Sequence, residues 1–198
     1  MKSLILALFA FLLCLGGASA GTNLTQLLST LPDGGYIMDM SVDEHGMYSI
    51  TDLNGTHIPG SPFTVDSTTI PLSDLPLLPP MEPPSIPGIS GCVAPYEYID
   101  WDDWRQAGRK LGFWCSVGNM VPSHKILNWI IGDSQAYICN YAGEQNCRGD
   151  EYWRYMRTIA DNCGYRHCGW FLQGSGDKTL GRGIKDGKSS PFTVCSNV

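Results

Sequence analysis

The chain has 198 residues, with 13 Lys and Arg against 19 Asp and Glu, for a formal net charge of −6. An acidic balance of this size speaks against a nucleic-acid partner, whose phosphates are bound by basic surface. The charge is also unevenly spread: Gly21 to Gly91 carries eight acids and no Lys or Arg, whereas Cys92 to Val198 carries eleven acids and twelve bases and is close to neutral.

The first twenty residues have the pattern of a secretory signal. Lys2 is followed by an apolar run from Leu4 to Leu15 and then by Ala18-Ser19-Ala20, small residues suited to cleavage, so the mature chain is expected to begin near Gly21. The run is shorter than the ~20 residues that span a bilayer. Cys14 follows Leu13, not the small residue that a lipoprotein signal needs. The expectation is a soluble, secreted, extracellular protein, a monomer with no membrane span. Beyond the signal there are seven cysteines, Cys92, Cys115, Cys139, Cys147, Cys163, Cys168 and Cys195, and an odd number leaves one without an internal partner. Secretion favours disulfides. A zinc site from Cys163, His167 and Cys168 is the competing reading, but no second pair of ligands stands nearby, and neither metal nor cofactor is expected.

Residues 21–69 read as an acidic β-meander: "GGYIMDMSV", "GMYSITDL" and "THIPGSPFTV" are strand-prone runs separated by "DEHG" and by Asn54-Gly55. Asn23 and Asn54 open N-x-T glycosylation sequences. Residues 70–90 hold seven prolines, a composition that favours extended chain and reads as a linker rather than as a ligand for a proline-binding module.

From residue 91 the pattern alternates between helix and strand. In "DWDDWRQAGRKLGFW" the spacing of Trp101, Trp104, Leu111 and Trp114 gives one apolar stripe, with acids at the start and Arg109 and Lys110 towards the end. "HKILNWIIGDSQAYICNY" predicts two strands around Gly132-Asp133, and "GWFLQ" and "FTVC" predict two more. Between them Trp153, Met156, Ile159 and Cys163 recur at helical spacing, and Gly164 offers a left-handed stop. Arg148-Gly149-Asp150 is therefore read as the start of this helix and not as an adhesion tripeptide, with Asp150 committed to the unpaired amides of its first turn.

Catalytic patterns are weak, and no catalytic residue is assigned. His45 and His57 fall in the meander, and His167 adjoins Cys168; His124 with Glu144 or Glu151 is the only ribonuclease-like combination that can be imagined. Trp101, Trp104, Trp114 and Trp153 lie on helix stripes and are expected in the core, leaving Trp129, Trp170 and Tyr141 for sugar stacking. The stretch "GSGDKTLGRGIKDGKSS" reads as a mobile glycine-rich loop bearing Lys178, Arg182, Lys185 and Lys188, a possible basic recognition surface.

The run "AYICNYAGEQNCRGDEYWRYMRTIADNCGYRHCGW", with "DKTLGRG" and the terminal "FTVC", resembles the small secreted fungal proteins that share the arrangement of the virus-encoded killer toxin of smut fungi and its effector-like relatives. The likeness covers Cys92 to Cys195; the acidic segment and the proline run have no counterpart in the toxin, and the cysteine count is lower and odd. The resemblance implies an α+β fold for 91–198, an antiparallel sheet with two helices packed on one face. It also implies Cys92–Cys163, Cys115–Cys147 and Cys139–Cys195 bridges, which leave Cys168 over. In function it implies a non-enzymatic toxin or effector and transfers no target; the leading expectation is that the protein acts by binding an unknown membrane or cell-wall component of another cell. The alternatives are a wall- or carbohydrate-binding module and a cryptic ribonuclease-like enzyme.

Overall fold

The computed structural model of the protein describes residues 28–40, 49–53, 57–58, 87–93 and 96–195. Among these residues ten strands form: β1 (Gly34–Asp39), β2 (Ile50–Asp52), β3 (His57–Ile58), β4 (Gly88–Cys92), β5 (Met120–Val121), β6 (Lys125–Ile131), β7 (Ser134–Asn140), β8 (Gln145–Asn146), β9 (Gly169–Gln173) and β10 (Lys178–Ile184). Eight make one sheet in the order β3-β2-β1-β6-β7-β10-β9-β4, and β5 pairs with β8. Every pairing is antiparallel. At its centre, β6 and β7 pair Ile131 with Ser134, so Gly132 and Asp133 form a two-residue turn in which Gly132 takes a φ of 54°.

Strand side chains alternate between faces, and both faces of this sheet are buried. Leu127, Trp129 and Ile131 of β6 join Ala136 and Ile138 of β7 and Leu180 of β10 beneath two long helices. These are α1 (Trp101–Ser116) and α2 (Gly149–Cys163). Asp100 caps α1 by accepting from the amides of Asp102 and Asp103, both at 3.0 Å, a cap that contributes about 1 kcal/mol. The two helices touch backbone to backbone, because a Cβ on Gly149 would stand 2.6 Å from the Gly112 carbonyl oxygen. Ile126, Ile130, Tyr137 and Cys139 face the opposite side, where they meet Phe192, Val194 and Cys195 of a short third helix, α3 (Pro191–Cys195).

The fold is therefore α+β, with the two long helices on one face as expected, and α3 is an addition on the other. "FTVC", expected as a strand, is helical. Pro191 needs no amide partner at the start of a helix, and the single turn sets Phe192, Val194 and Cys195 down on the sheet. Three bridges tie the layers: Cys92–Cys163 joins β4 to α2, Cys115–Cys147 joins α1 to the segment before α2, and Cys139–Cys195 joins β7 to α3. Their Cα atoms lie 5.5, 5.0 and 5.9 Å apart, within the usual range, and the pairing is the one that the resemblance implied. Cys168 is unpaired and buried, and burial pushes its thiol up to about 11. Because Cys163 is bridged, the zinc reading loses a ligand.

The acidic meander does not stand apart. All six residues of β1 pair with β6, and Leu28, Leu31, Tyr36, Met38 and Ile50 are buried in the same cluster as Ile126, Tyr137 and Phe192. The jump in charge at residue 91 misleads because it reflects surface composition, while the apolar faces of β1 and β2 belong to the shared core. The chain leaves β3 at one edge of the sheet and returns through β4 at the other. The signal segment, Asn23, Asn54 and most of the 70–90 linker lie outside the described residues. Among those described, no helix is long and apolar enough to cross a membrane.

A fragment beginning at Gly91 tests this continuity. Burial of Tyr36, Met38 and Ile50 is worth about 1.5–3 kcal/mol each, against a whole-domain stability of about 5–15 kcal/mol. The fragment is expected to lose the cooperative near-ultraviolet circular dichroism transition of the full mature chain. A fragment that melts within a few degrees of it would show instead that the meander is dispensable.

Candidate functional site

Three of the four residues expected on a mobile basic loop are buried in the body of the protein. Lys178 and Arg182 belong to β10, which runs between β7 and β9, and only Lys188 is exposed. Lys178 Nζ donates to Glu151 at 3.1 Å and to the Asn146 carbonyl at 3.0 Å, and Lys185 Nζ donates to the Leu31 carbonyl at 3.1 Å. The glycines serve packing rather than mobility: a Cβ on Gly181 would lie 2.2 Å from the Tyr137 ring. Lys178, Leu180 and Arg182 alternate towards the long helices, a strand pattern hidden by a loop-like composition.

Arg182 is fully buried, and no carboxylate among the described residues pairs with it. Its Nε donates to the His167 carbonyl at 2.9 Å and one Nη to the Gly164 carbonyl at 2.7 Å, while its plane lies 5.0 Å from the centre of the Trp104 ring. Burial lowers its pKa to about 10, which leaves it charged at neutral pH. Both carbonyls belong to the turn after α2, where Gly164 exits the helix at φ 95° and ψ 154°. Its φ is positive, but its ψ is extended and not that of the expected left-handed stop.

That turn and the segment before α1 carry the most exposed rings among the described residues. Tyr96, Tyr98 and Tyr165 are 61%, 65% and 52% exposed. Tyr96 stacks on His167 at 4.7 Å and 25°, Tyr98 leans on the same ring at 4.7 Å and 58°, and Tyr165 meets the half-buried Trp101 edge-on at 6.2 Å. Main-chain bonds hold the two segments together: a bridge pairs Tyr98 with His167, Ile99 N donates to Arg166 O at 3.0 Å, and Cys168 N donates to Glu97 O at 2.9 Å. Glu97, between the two tyrosines, accepts from the Lys188 and Ser189 amides at 2.6 and 3.0 Å. The result is a platform of five rings, Tyr96, Tyr98, Trp101, Tyr165 and His167, braced from below by Arg182. None of the three exposed tyrosines was singled out by sequence reasoning; the alternation in "PYEYID", which sets both tyrosines on one side of an extended chain, was the available signal.

Elsewhere the structure separates what the sequence had grouped. Trp129 is buried, and Trp170 and Tyr141 are half-buried against the core facing α3. Trp104 and Trp153 are core as expected, whereas Trp114 is only partly buried. His124 is exposed in the turn before β6, and Glu151 is committed to Lys178. His45 lies outside the described residues. Arg148-Gly149-Asp150 does open α2, beside a cleft of about 450 Å³ at the Cys115–Cys147 bridge. The Asp150 carboxylate, however, does not cap the helix. Burial pushes its pKa up, but hydrogen bonds from Arg154 and Arg148 outweigh that and hold it below the usual range. Arg148 and Asp150 thus pair with each other. No group of three or more His, Cys, Asp or Glu among the described residues is placed to hold a metal.

No family model, no curated protein and no solved structure matches the chain. The chemistry of the platform is therefore the guide to what the protein does.

Replacing Arg182 by Met strands the Gly164 and His167 carbonyls without their charged donor, an expected loss of about 2–4 kcal/mol in urea unfolding. Faster amide exchange at His167 and Cys168 should accompany it. Arg182→Lys should recover only part of the loss, because one ammonium lacks the planar fork. Unchanged stability and exchange in the Met variant would remove Arg182 from this role.

At high pH a second test applies. Burial raises the pKa of Tyr36, Tyr137, Tyr141, Tyr152 and Tyr155 above 10.0, so these phenols stay protonated in the fold while the unfolded chain ionises. Their contribution is whole below pH 10.0 and falls as pH rises beyond it, whereas the lowered Arg182 works in the opposite sense above about 10. Five groups outweigh one. Phenolate absorbance should therefore show a late step that coincides with loss of the near-ultraviolet signal, and ionisation of these five without unfolding would contradict their burial.

Proposed function

We propose that this chain is a secreted, non-enzymatic binding protein of the killer-toxin-like or effector-like kind, which acts by engaging a wall or membrane component of another cell. The observation that carries this reading is the platform: three tyrosines more than half exposed, ordered by stacking, main-chain bonds and a buried guanidinium. Keeping large rings in water forgoes burial worth about 1.5–3 kcal/mol for such a side chain, a cost that a recognition surface explains. Pre-ordering reduces the entropy that binding must overcome. The signal-like N-terminus, the glycosylation sequences at Asn23 and Asn54 and the three bridges all fit export.

The test compares labelled mature protein with a Tyr98→Ala/Tyr165→Ala variant on intact fungal and plant cells. Because both side chains are mostly exposed, the variant should keep its melting temperature while losing tenfold or more in cell binding. Equal binding by both proteins, or no binding by the wild type, would overturn the reading.

A further inference from the structure

We infer that the platform recognises an acidic glycan, a chain of pyranose rings bearing carboxylates or phosphates. This rests on the proposed function and names the chemistry of its target. Two independent observations carry it, the nature of the rings and the charges left unpaired around them.

The exposed rings are tyrosines, with apolar faces and polar tips, and among the described residues no large exposed aliphatic side chain lies on the same two segments. The other large exposed apolar residues among those described, Ile89 and Val117, lie on β4 and just beyond the end of α1. A pyranose presents a face of C–H bonds about the width of an aromatic ring and a rim of hydroxyls, which suits ring faces edged by phenol oxygens. A protein partner of comparable area would be expected to meet more aliphatic surface.

Around the rings Glu97, Asp100 and Asp161 are occupied, whereas Asp102 and Asp186 are exposed and, like three bases, make no ion pair among the described residues. Glu97 is bound by the Lys188 and Ser189 amides, Asp100 caps α1, and Asp161 pairs with Arg157. The side chains of Arg105, Arg166 and Lys188 are exposed and have no partner among the described residues. Arg166 lies between Tyr165 and His167, Lys188 lies against Glu97, and Arg105 follows Trp101 by one helical turn. By helix geometry Arg105 is about 40° round the axis from Trp101, while the exposed Asp102 is about 100° away. Exposed, unpaired guanidinium groups on residues that adjoin Tyr165, His167 and Trp101 in the chain match an anionic group on a sugar.

The experiment measures binding of the full mature protein to a galacturonate decamer, a phosphomannan, neutral chitohexaose and laminarihexaose, and a sugar-free polyanion, polyglutamate. At least one acidic glycan should bind tenfold or more tighter than the neutral sugars and polyglutamate, and more weakly as salt is raised. Binding to galacturonate alone identifies a carboxylate as the anion, and to phosphomannan alone a phosphate. Tyr98→Ala/Tyr165→Ala and Arg105→Gln/Arg166→Gln should each lower that affinity at least tenfold with an unchanged melting temperature. Equal affinity for polyglutamate, equal affinity for the neutral sugars, or indifference to either pair of substitutions overturns the inference. Binding to intact cells without binding to any glycan also overturns it while leaving the proposed function standing; failure to bind cells removes that function as well.

Discussion

Between the sheet and the two long helices sits a guanidinium with no accessible surface and no carboxylate paired with it among the described residues, and its hydrogen bonds go to main-chain oxygens of one turn. Burying a charge in this way costs several kcal/mol unless it is compensated. For Arg182 the compensation comes from two carbonyl dipoles and the face of Trp104, while one Nη has no hydrogen-bond partner among the described residues. An apolar side chain at this position would satisfy the core but leave the Gly164 and His167 carbonyls without their donor. The cation thus settles a backbone problem that α2 creates where it ends, and the rings carried by the turn inherit the resulting order.

The rest of the frame serves the same corner from other directions. Cys92–Cys163 fastens the last residue of β4 to the last residue of α2, immediately before the turn. Tyr152 accepts from the Trp104 indole at 3.1 Å and donates to the Gly181 carbonyl at 3.2 Å, linking both helices to β10 one residue from Arg182. Gly181 in turn admits the Tyr137 ring from the opposite face. Strand, helices, bridge and turn therefore move as a unit, and the exposed tyrosines are held in place by interactions made beneath them.

Local patterns in the sequence were legible where one element decides its own outcome. The spacing of Trp101, Trp104 and Leu111, the acids at the start of that helix, the turn at Gly132-Asp133 and the helical repeat through Trp153, Met156 and Ile159 all act within a few residues, and each appears in the fold where it was expected. Strand β10 was illegible because its lysine and arginine find partners far away in sequence: Glu151 is 27 residues from Lys178, and Gly164 is 18 from Arg182. Composition described those residues as solvated, and tertiary contacts made them core. The same limit applies to β1, whose place in the shared sheet depends on pairing with β6, and to α3, whose single turn is held by the core it covers and by Cys139–Cys195. Of the platform, only the Tyr96 and Tyr98 alternation is local; Tyr165, His167 and Trp101 join it through the fold.

The balance between the buried and the exposed aromatics then separates stability from recognition. Trp153 meets Trp104 and Tyr152 at ring distances of 5.5 and 5.4 Å inside the core, with the Trp104 indole bonded to the Tyr152 hydroxyl. Trp101 touches Trp104 on one side and Tyr165 on the other, so it is the point where the core aromatics continue into the surface set. Tyr96, Tyr98 and Tyr165 are mostly exposed, so trimming them removes little buried area, whereas a change at Trp104 disturbs the Arg182 stack and both long helices together. Outward positions can therefore vary while the inward ones hold the frame, so a change among the exposed rings need not place the fold at risk.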